Sequence, residues 1–340
     1  MAVWRRRALT VGLISVALLV LLSPAFAQTR PVELKYAMHF VSTHKQYELG
    51  AAWAKEIEKR TNGRVKIVMY PGGTLIPSPQ IYDGVVNGIA DIGFSWFAFT
   101  RGKFPLMEVV DLPLVYRSGL AATRLVNDVY RKFTPPELAA TQVMYLGGHG
   151  PGILHASKPV HTLEDVKGLK IRATGTSAKI AAALGGTPVA MPVGEAYDAL
   201  KKGVVNGMLI SLEAMEQWRL GEVLKYSIGN YGSAYTTGHF VVMNKQKWNS
   251  LPPDIQAIIT EINQEWIAKT GQLWDEVDTS AKAWILKRGN EFISLSKAED
   301  EKWFKAVQPV LDEYVKGAEA KGIPGRAALD FALERLKQLQ

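Results

Sequence analysis

The residue best suited to recognise a small molecule in this 340-residue chain is Arg172, which ends the strand-like segment Leu169-Lys-Ile-Arg172. A guanidinium presents a planar fork of hydrogen-bond donors that meets both oxygens of a carboxylate, which a lysine does less well. An ordinary solvated arginine has the same appearance in a sequence, because structural ion pairs are common. Arg172 is therefore a candidate anion-binding residue, and the residues around it determine which of these two roles it has.

The unit that contains Arg172 occurs twice along the chain. Val65-Lys-Ile-Val68 lies upstream of Gly84-Val-Val-Asn-Gly88, and Leu169-Lys-Ile-Arg172 lies upstream of Gly203-Val-Val-Asn-Gly207. The repeat predicts two similar lobes that face a cleft, with Arg172 on one wall. The same comparison aligns Arg172 with Val68 in the first copy.

The N-terminus has the parts of a secretory signal peptide. Arg5 to Arg7 form a basic segment, Ala8 to Leu22 an apolar segment, and Ala25-Phe26-Ala27 a small-x-small cleavage site. We expect a signal peptide over residues 1–27, a mature chain that begins at Gln28, and a periplasmic location. The alternative is an uncleaved anchor, but the apolar segment is shorter than the ~20 residues that span a bilayer. The mature chain is therefore not expected to span the membrane.

Charge and cysteine content exclude several classes of function. The formal net charge of +8 falls to +5 when a leader with three arginines and no acid is removed. The remaining basic residues alternate with acids and form no basic stripe, so no nucleic-acid partner is expected. The chain has no cysteine, which excludes disulfides, thiolate catalysis and cysteine-based zinc sites.

Catalytic and metal-binding motifs are also missing from the sequence. There is no Gly-x-Ser-x-Gly elbow, no His-Glu-x-x-His and no phosphate loop that ends in Gly-Lys-Ser/Thr. The glycine-rich run from Gly148 to Gly152 contains Pro151, which removes a backbone donor that a dinucleotide loop needs. The six histidines show no metal-ligand spacing. We expect no catalytic residue, no metal and no cofactor, and a periplasmic enzyme is the least favoured alternative.

Alternating strand and helix patterns predict an α/β fold. The most unusual element is a long helical stretch from Pro252-Pro253 to about Arg288, whose weakest interior point is Gly271. At ~1.5 Å per residue it is long enough to run along both lobes. Ser296-Lys-Ala-Glu299 predicts a capping box for a further helix, in which Pro309 predicts a kink.

Four segments in order resemble the DctP-type solute-binding subunit of tripartite ATP-independent periplasmic (TRAP) transporters. They are Gly72-Gly73-Thr74-Leu75, the run from Phe104 to Leu114, the run from Leu163 to Arg172, and Gly203 to Gly207. The resemblance runs from about Val32 to Leu251. It implies a two-lobed, type II-like periplasmic binding protein fold with crossing strands and a long helix that spans both lobes. It also implies small and large membrane permease subunits as partners.

The boundaries of the two lobes are inferred from this resemblance and from the internal repeat. We place lobe I at residues 28–149 plus about 240–275. We place lobe II at residues 150–239 plus about 276–340, including the C-terminal helices.

The resemblance implies a role for Arg172 and for four other residues. In the family, the arginine that ends this strand clamps a substrate carboxylate. His39, Trp96 and Phe99 match first-lobe positions that face the ligand, and Val193 matches a position that contacts the ligand body. On chemistry alone, Trp96 is either a flat apolar wall or a core residue, and His39 is either a hydrogen-bond donor or a structural residue.

Three further residues lie where the chain is expected to cross between the lobes or to face Arg172. His149 and His239 flank the crossings and either point into the cleft or bond to backbone as hinge residues. Glu213 is either a partner of Arg172 in the empty protein or a solvated helix acid.

Departures from the family pattern narrow the expected ligand. Ile210 stands where many members have an asparagine that contacts the carboxylate, and Gly152 stands where some have a second arginine. With fewer polar groups, we expect an organic acid with one carboxylate and an apolar or aromatic body, which Ile210 contacts together with Trp96. The alternative on the same fold is an extracytoplasmic ligand sensor.

Overall fold

A computed structural model describes residues 30–100 and 102–340, so the predicted signal peptide over residues 1–27 and the cleavage before Gln28 lie outside the described residues. The strands of the described residues are β1 Val32–Met38, β2 Val65–Tyr70, β3 Ile92–Trp96, β4 Thr141–Gly148, β5 Gly152–Ala156, β6 Lys170–Arg172, β7 Thr187–Val189, β8 Gly207–Ser211, β9 Tyr226–Gly229, β10 Gly238–Asn244 and β11 Glu291–Ser294. The helices are α1 Lys45–Arg60, α2 Ile81–Val86, α3 Gly119–Phe133, α4 Thr176–Ala183, α5 Val193–Lys201, α6 Ala214–Gln217, α7 Lys245–Asn249, α8 Pro253–Lys287, α9 Lys297–Glu319 and α10 Gly325–Leu339.

The strands form two mixed sheets, which confirms the α/β class and the two-lobed fold. The first sheet has the order β2-β1-β3-β10-β4, and the second has the order β11-β9-β5-β8-β6-β7. In the first, β10 is antiparallel to both neighbours, and in the second, β5 is antiparallel to both neighbours. The chain crosses between the sheets from β4 to β5, from β9 to β10 and along α8. The proposed lobe boundaries near residues 149, 240 and 275 stay a prediction.

The internal repeat is real, but its register differs from the one that the sequence match predicts. In the first sheet, Lys35 N–H donates to the Asp91 side chain at 2.7 Å, and Asp91 N–H donates to the Lys35 carbonyl at 3.0 Å. In the second, Lys170 and Asn206 exchange the same two bonds at 2.8 and 2.9 Å. Strand β6 is thus the counterpart of β1.

The counterpart of Arg172 is consequently Ala37, and the predicted match with Val68 is wrong. Ala37 pairs with Gly93 in the way that Arg172 pairs with Met208. The glycines shift in the same way, because Gly203 has a φ of 71° and matches Gly88 at 74°, whereas Gly84 lies inside α2. The identical segments Gly84 to Gly88 and Gly203 to Gly207 produced the wrong alignment, because it matches the glycines four residues away from their structural counterparts.

Helix α8 has 35 residues and confirms the long helix. Its first half packs Ile255, Ile262 and Trp266 into the core beside the first sheet, and its last turns pack Ala281 and Ile285 into the core beside the second. One helix therefore joins both cores. No helix in residues 30–100 and 102–340 is long and apolar enough to cross a membrane.

The glycine in the middle of α8 is explained by close packing. A Cβ on Gly271 would lie 2.7 Å from the Leu120 Cα of α3. Only glycine permits this approach of the two helices, which outweighs its low helix propensity.

The helix that follows β11 begins as predicted but is capped in another way. Ser296 accepts a hydrogen bond from Glu299 N–H at 3.2 Å, while the Glu299 carboxylate accepts from Leu163 N–H at 2.6 Å and pairs with Lys302. The capping box is therefore half formed. Helix α9 continues through Pro309 from Lys297 to Glu319.

Candidate functional site

A cavity of about 50 Å³ lies between the carboxyl ends of strands from the two sheets. Ligands of open α/β sheets bind at such strand ends. Seven of the eight predicted ligand-binding residues line this cavity: His39, Trp96, Phe99, His149, Arg172, Val193 and Ile210. Its other lining residues are Phe40, Thr174, Ser211, Glu213, Trp218, Tyr235 and Thr237.

Arg172 is a buried cation at this cavity, with 3% of its surface exposed. Its Nε donates a hydrogen bond to the Met191 carbonyl at 2.9 Å. Within residues 30–100 and 102–340, no carboxylate oxygen lies within 4.0 Å of its guanidinium nitrogens. Burial lowers the pKa of Arg172 to about 10, so the group stays charged at neutral pH. In the described part of the chain, this positive charge has no negative partner.

Glu213 does not pair with Arg172, and it is not a solvated acid, so both interpretations from the sequence are wrong. Its surface is 3% exposed, and its Oε2 lies 3.4 Å from His44 Nε2. Its backbone N–H donates to Asp278 of α8 at 2.7 Å. This bond to the long helix fixes the residue between β8 and α6, with its side chain towards the cavity.

An aromatic wall covers the cavity on the side of the first sheet. The His39 ring lies 5.3 Å from Phe99, 6.4 Å from Trp96 and 6.0 Å from Trp218, measured between ring centroids. Trp96 ends β3 and also packs against Trp274 of α8. Trp96 therefore combines the two roles considered from the sequence, because it is a core residue with a face on the cavity.

His39 is a neutral group with one free nitrogen. Its Nδ1 shares a hydrogen bond of 2.7 Å with Ser78 Oγ, while its buried Nε2 has no hydrogen-bond partner in the described part of the chain. Burial, with the neighbouring His44 and Arg172, lowers the pKa of His39 to about 3. The ring is consequently uncharged at any physiological pH.

The two histidines at the crossings differ in position. His149 lines the cavity, and its ring bonds to the Gly150 carbonyl and to Thr237 Oγ1 at 3.1 Å. His149 therefore combines both predicted roles, because it faces the cleft and also bonds to backbone at the crossing between the lobes. His239 is fully buried behind the cavity, stacked on Phe94 at 4.6 Å, and does not line it. The prediction that His239 contacts a ligand is not supported by its placement.

Apolar side chains from the second sheet complete the cavity. Ile210 lies near the end of β8, beside Ser211, and Val193 begins α5. Neither offers a hydrogen bond from its side chain. The described residues contain no group of three or more histidines or acids placed to hold a metal ion.

Sequence reasoning missed several lining residues, of which Tyr235, Thr237 and Trp218 are the largest or most polar. Tyr235 and Thr237 immediately precede Gly238, where the chain returns to the first sheet. Their proximity to the predicted crossing is a signal that could have identified them. Trp218 follows the short helix α6, and no local pattern marks it.

A second, larger cavity of about 450 Å³ adjoins the first and shares Phe99 and Thr174 with it. Its other lining residues are mostly apolar: Ser78, Pro79, Ala98, Ala190, Met191 and Pro192. Two hydrogen bonds join lining residues of the first cavity to lining residues of the second, one between His39 and Ser78 and one from Arg172 to the Met191 carbonyl.

Known proteins resemble this chain over most of its length. A family described as bacterial extracellular solute-binding protein, family 7 (DctP) matches residues 37–317. The C4-dicarboxylate-binding periplasmic protein DctP of Rhodobacter capsulatus is 30% identical over 87% of this chain and 90% of its own.

Two solved structures of TRAP solute-binding proteins share the architecture. One from Rhodoferax ferrireducens, in complex with copurified benzoate, has a TM-score of 0.86 and 27% identity over 91% of this chain and 98% of its own. One from Bordetella bronchiseptica, with bound (R)- and (S)-mandelate, has a TM-score of 0.84 and 28% identity over 91% and 100%. The family match over residues 37–317 and the relative that is 30% identical over most of both chains show the family: the chain belongs to the DctP family of bacterial extracellular solute-binding proteins.

Proposed function

We propose that this protein is the periplasmic receptor of a TRAP transporter for an organic acid with one carboxylate and an aromatic or apolar body. The observation that carries the proposal is Arg172, a buried charge without an acidic partner in the described residues, on a cavity with aromatic walls. A bound carboxylate supplies the missing negative charge. The ligand body then lies against Trp96, Phe99 and Ile210.

The unpaired guanidinium links binding to closure of the two lobes. Burying Arg172 without a partner costs several kcal/mol, and a carboxylate offsets this cost. Ligand therefore favours the closed arrangement. A micromolar affinity requires about 8 kcal/mol, of which one charge-assisted hydrogen bond supplies roughly 1.5 to 3. Burial of the ligand body must provide much of the remainder, so shape sets specificity.

The charges around the cavity favour one carboxylate over two. Arg172 is the only lysine or arginine among its lining residues, whereas Glu213 carries a carboxyl group that repels a second carboxylate. The histidines His39 and His149 are neutral because burial lowers their pKa values to about 3 and about 4. Benzoate and mandelate, the ligands in the two similar structures, have the proposed chemistry.

The remaining partners follow from the family. We place the mature protein in the periplasm, where it delivers its ligand to one small and one large membrane subunit. Uptake of radiolabelled benzoate into proteoliposomes that contain those subunits should require this protein. Uptake that is equally fast without it would exclude the transport role.

The ligand class is tested by calorimetry on the purified mature protein with benzoate, mandelate and the C4-dicarboxylate succinate. We expect at least one of the aromatic acids to bind with a dissociation constant about tenfold or more below that of succinate. Native mass spectrometry beforehand shows whether the protein is already occupied. Tighter binding of succinate than of either aromatic acid would overturn the proposed ligand class.

A further inference from the structure

Two buried polar atoms at the cavity have no hydrogen-bond partner among the described residues, and binding of the ligand carboxylate by Arg172 does not give them one. They are Glu213 Oε2 and His39 Nε2. Both residues line the cavity, and both are more than nine-tenths buried. A buried polar atom without a partner costs free energy, so such atoms in a binding site indicate polar groups of the ligand.

Glu213 and His39 line the same cavity of about 50 Å³, which brings both side chains to one small space. Glu213 Oε2 is 3.4 Å from His44 Nε2, and the rings of His44 and His39 lie 5.8 and 6.0 Å from the ring of Trp218. The 3.4 Å contact with His44 Nε2 is longer than the ~2.7–3.2 Å of a good N–H···O hydrogen bond, so Glu213 Oε2 can still accept a shorter one.

Glu213 follows β8 beyond the strand position that pairs with Arg172. Arg172 pairs with Met208 of β8, and Ser211, the last residue of that strand, lies three positions further on, which is roughly 10 Å. Glu213 follows Ser211. The Arg172 side chain bonds to Met191, which follows the strand on the other side of β6. The cation Arg172 and the acceptor Glu213 therefore enter the site from different strand positions.

We propose that Glu213 and His39 bind a hydroxyl group on the body of the ligand, so that the cargo is a hydroxylated aromatic acid rather than an unsubstituted one. This inference rests on the proposed function. A hydroxyl group donates one hydrogen bond, to the Glu213 carboxylate, and accepts one from the His39 ring when Ser78 donates to Nδ1. A hydrogen bond to a carboxylate is stronger than a neutral one, so the gain in affinity should be large.

The wild-type protein tests the inference without any substitution. Calorimetry is carried out with benzoate, with its 3- and 4-hydroxy derivatives and with the matching methoxy derivatives, which cannot donate. We expect one hydroxy isomer to bind at least about tenfold more tightly than benzoate, and its methoxy analogue to lose that gain. Benzoate binding with no preference for either hydroxy isomer would overturn this inference and leave the proposed function intact. Failure of every acid to bind would overturn both.

The variant Glu213→Gln tests whether Glu213 causes the preference for a hydroxybenzoate over benzoate. We expect the ratio of the hydroxybenzoate and benzoate affinities to fall to about threefold or less, because the negative acceptor is gone. The matched control Glu276→Gln changes an exposed glutamate of α8 and should keep the wild-type ratio. An undiminished ratio in Glu213→Gln, with a thermal unfolding transition like that of the control, would show that Glu213 is not the acceptor.

Discussion

At the scale of the residue, the site depends on charges and polar atoms that are buried before any ligand arrives. Arg172 was identified from the sequence because a strand-end arginine within a family motif is a local feature. Glu213 was misjudged because its environment is set by contacts with His44 and Asp278, which lie far away in the chain. Distant partners of this kind leave no local pattern in a sequence.

His239 is the residue for which pH dependence is clearest. Neither ring nitrogen has a hydrogen-bond partner in the described residues, and Phe94, Trp96, Trp274 and the neutral His149 surround the ring. Burial lowers the pKa of His239 to about 3, against ~6.5 in an unfolded chain. The unfolded state therefore binds more protons between these values. The contribution of neutral His239 to the stability of the folded protein is therefore complete above pH 6.5 and is lost as the pH falls towards 3.

We predict that His239→Leu makes the protein less sensitive to acid. Between pH 7 and pH 5, the unfolding free energy of the wild type should fall by about 2 kcal/mol more than that of the variant, because leucine does not titrate. Urea unfolding at the two pH values measures this difference. Other groups, such as Asp111 and Asp278 with raised carboxyl pKa values, contribute equally to both proteins and cancel. Equal pH dependence of both proteins would contradict the buried, neutral state of His239.

At the scale of the element, helices and strands were largely predictable because their patterns are strong. The long α8 helix matches its predicted bounds to within a residue or two, and α9 begins after Ser296 as predicted. The correspondence between the two lobes was not predictable. Five identical letters, Gly-Val-Val-Asn-Gly, matched Gly84 to Gly203, although the folded chain matches Gly88 to Gly203. Strand pairing decides such equivalence, and it involves residues that are not neighbours in sequence.

Two helical glycines should respond in opposite ways to substitution by alanine, because Gly271 lies in the tight contact between α3 and α8 and Gly317 faces open space. Gly271→Ala should lower the unfolding free energy by about 1 to 3 kcal/mol, because its Cβ meets the backbone of Leu120. Gly317→Ala in α9 meets no atom within 4 Å and should raise it by about 0.5 to 1 kcal/mol. Denaturant unfolding of both variants measures the pair. Stabilisation by Gly271→Ala would show that the two helices are not in close contact.

At the scale of the whole molecule, two sheets and one shared helix place a cation from one lobe against aromatic residues of the other. The fold class was predictable from alternating elements and the family motifs. The exact set of cavity residues was not, because Tyr235, Thr237 and Trp218 reach the cavity only when the lobes face each other. In the proposed function, closure of the lobes makes ligand shape, and not charge alone, the basis of specificity.

The central claim is that Arg172 binds the ligand carboxylate between the lobes. The most direct test is calorimetric titration of benzoate, or of the tightest acid from the panel, into the wild type, Arg172→Ala and the control Arg124→Ala, an exposed arginine of α3. We predict at least about tenfold weaker binding for Arg172→Ala, wild-type binding for Arg124→Ala, and cooperative thermal unfolding for all three proteins. Unchanged affinity in a folded Arg172→Ala protein would contradict the account.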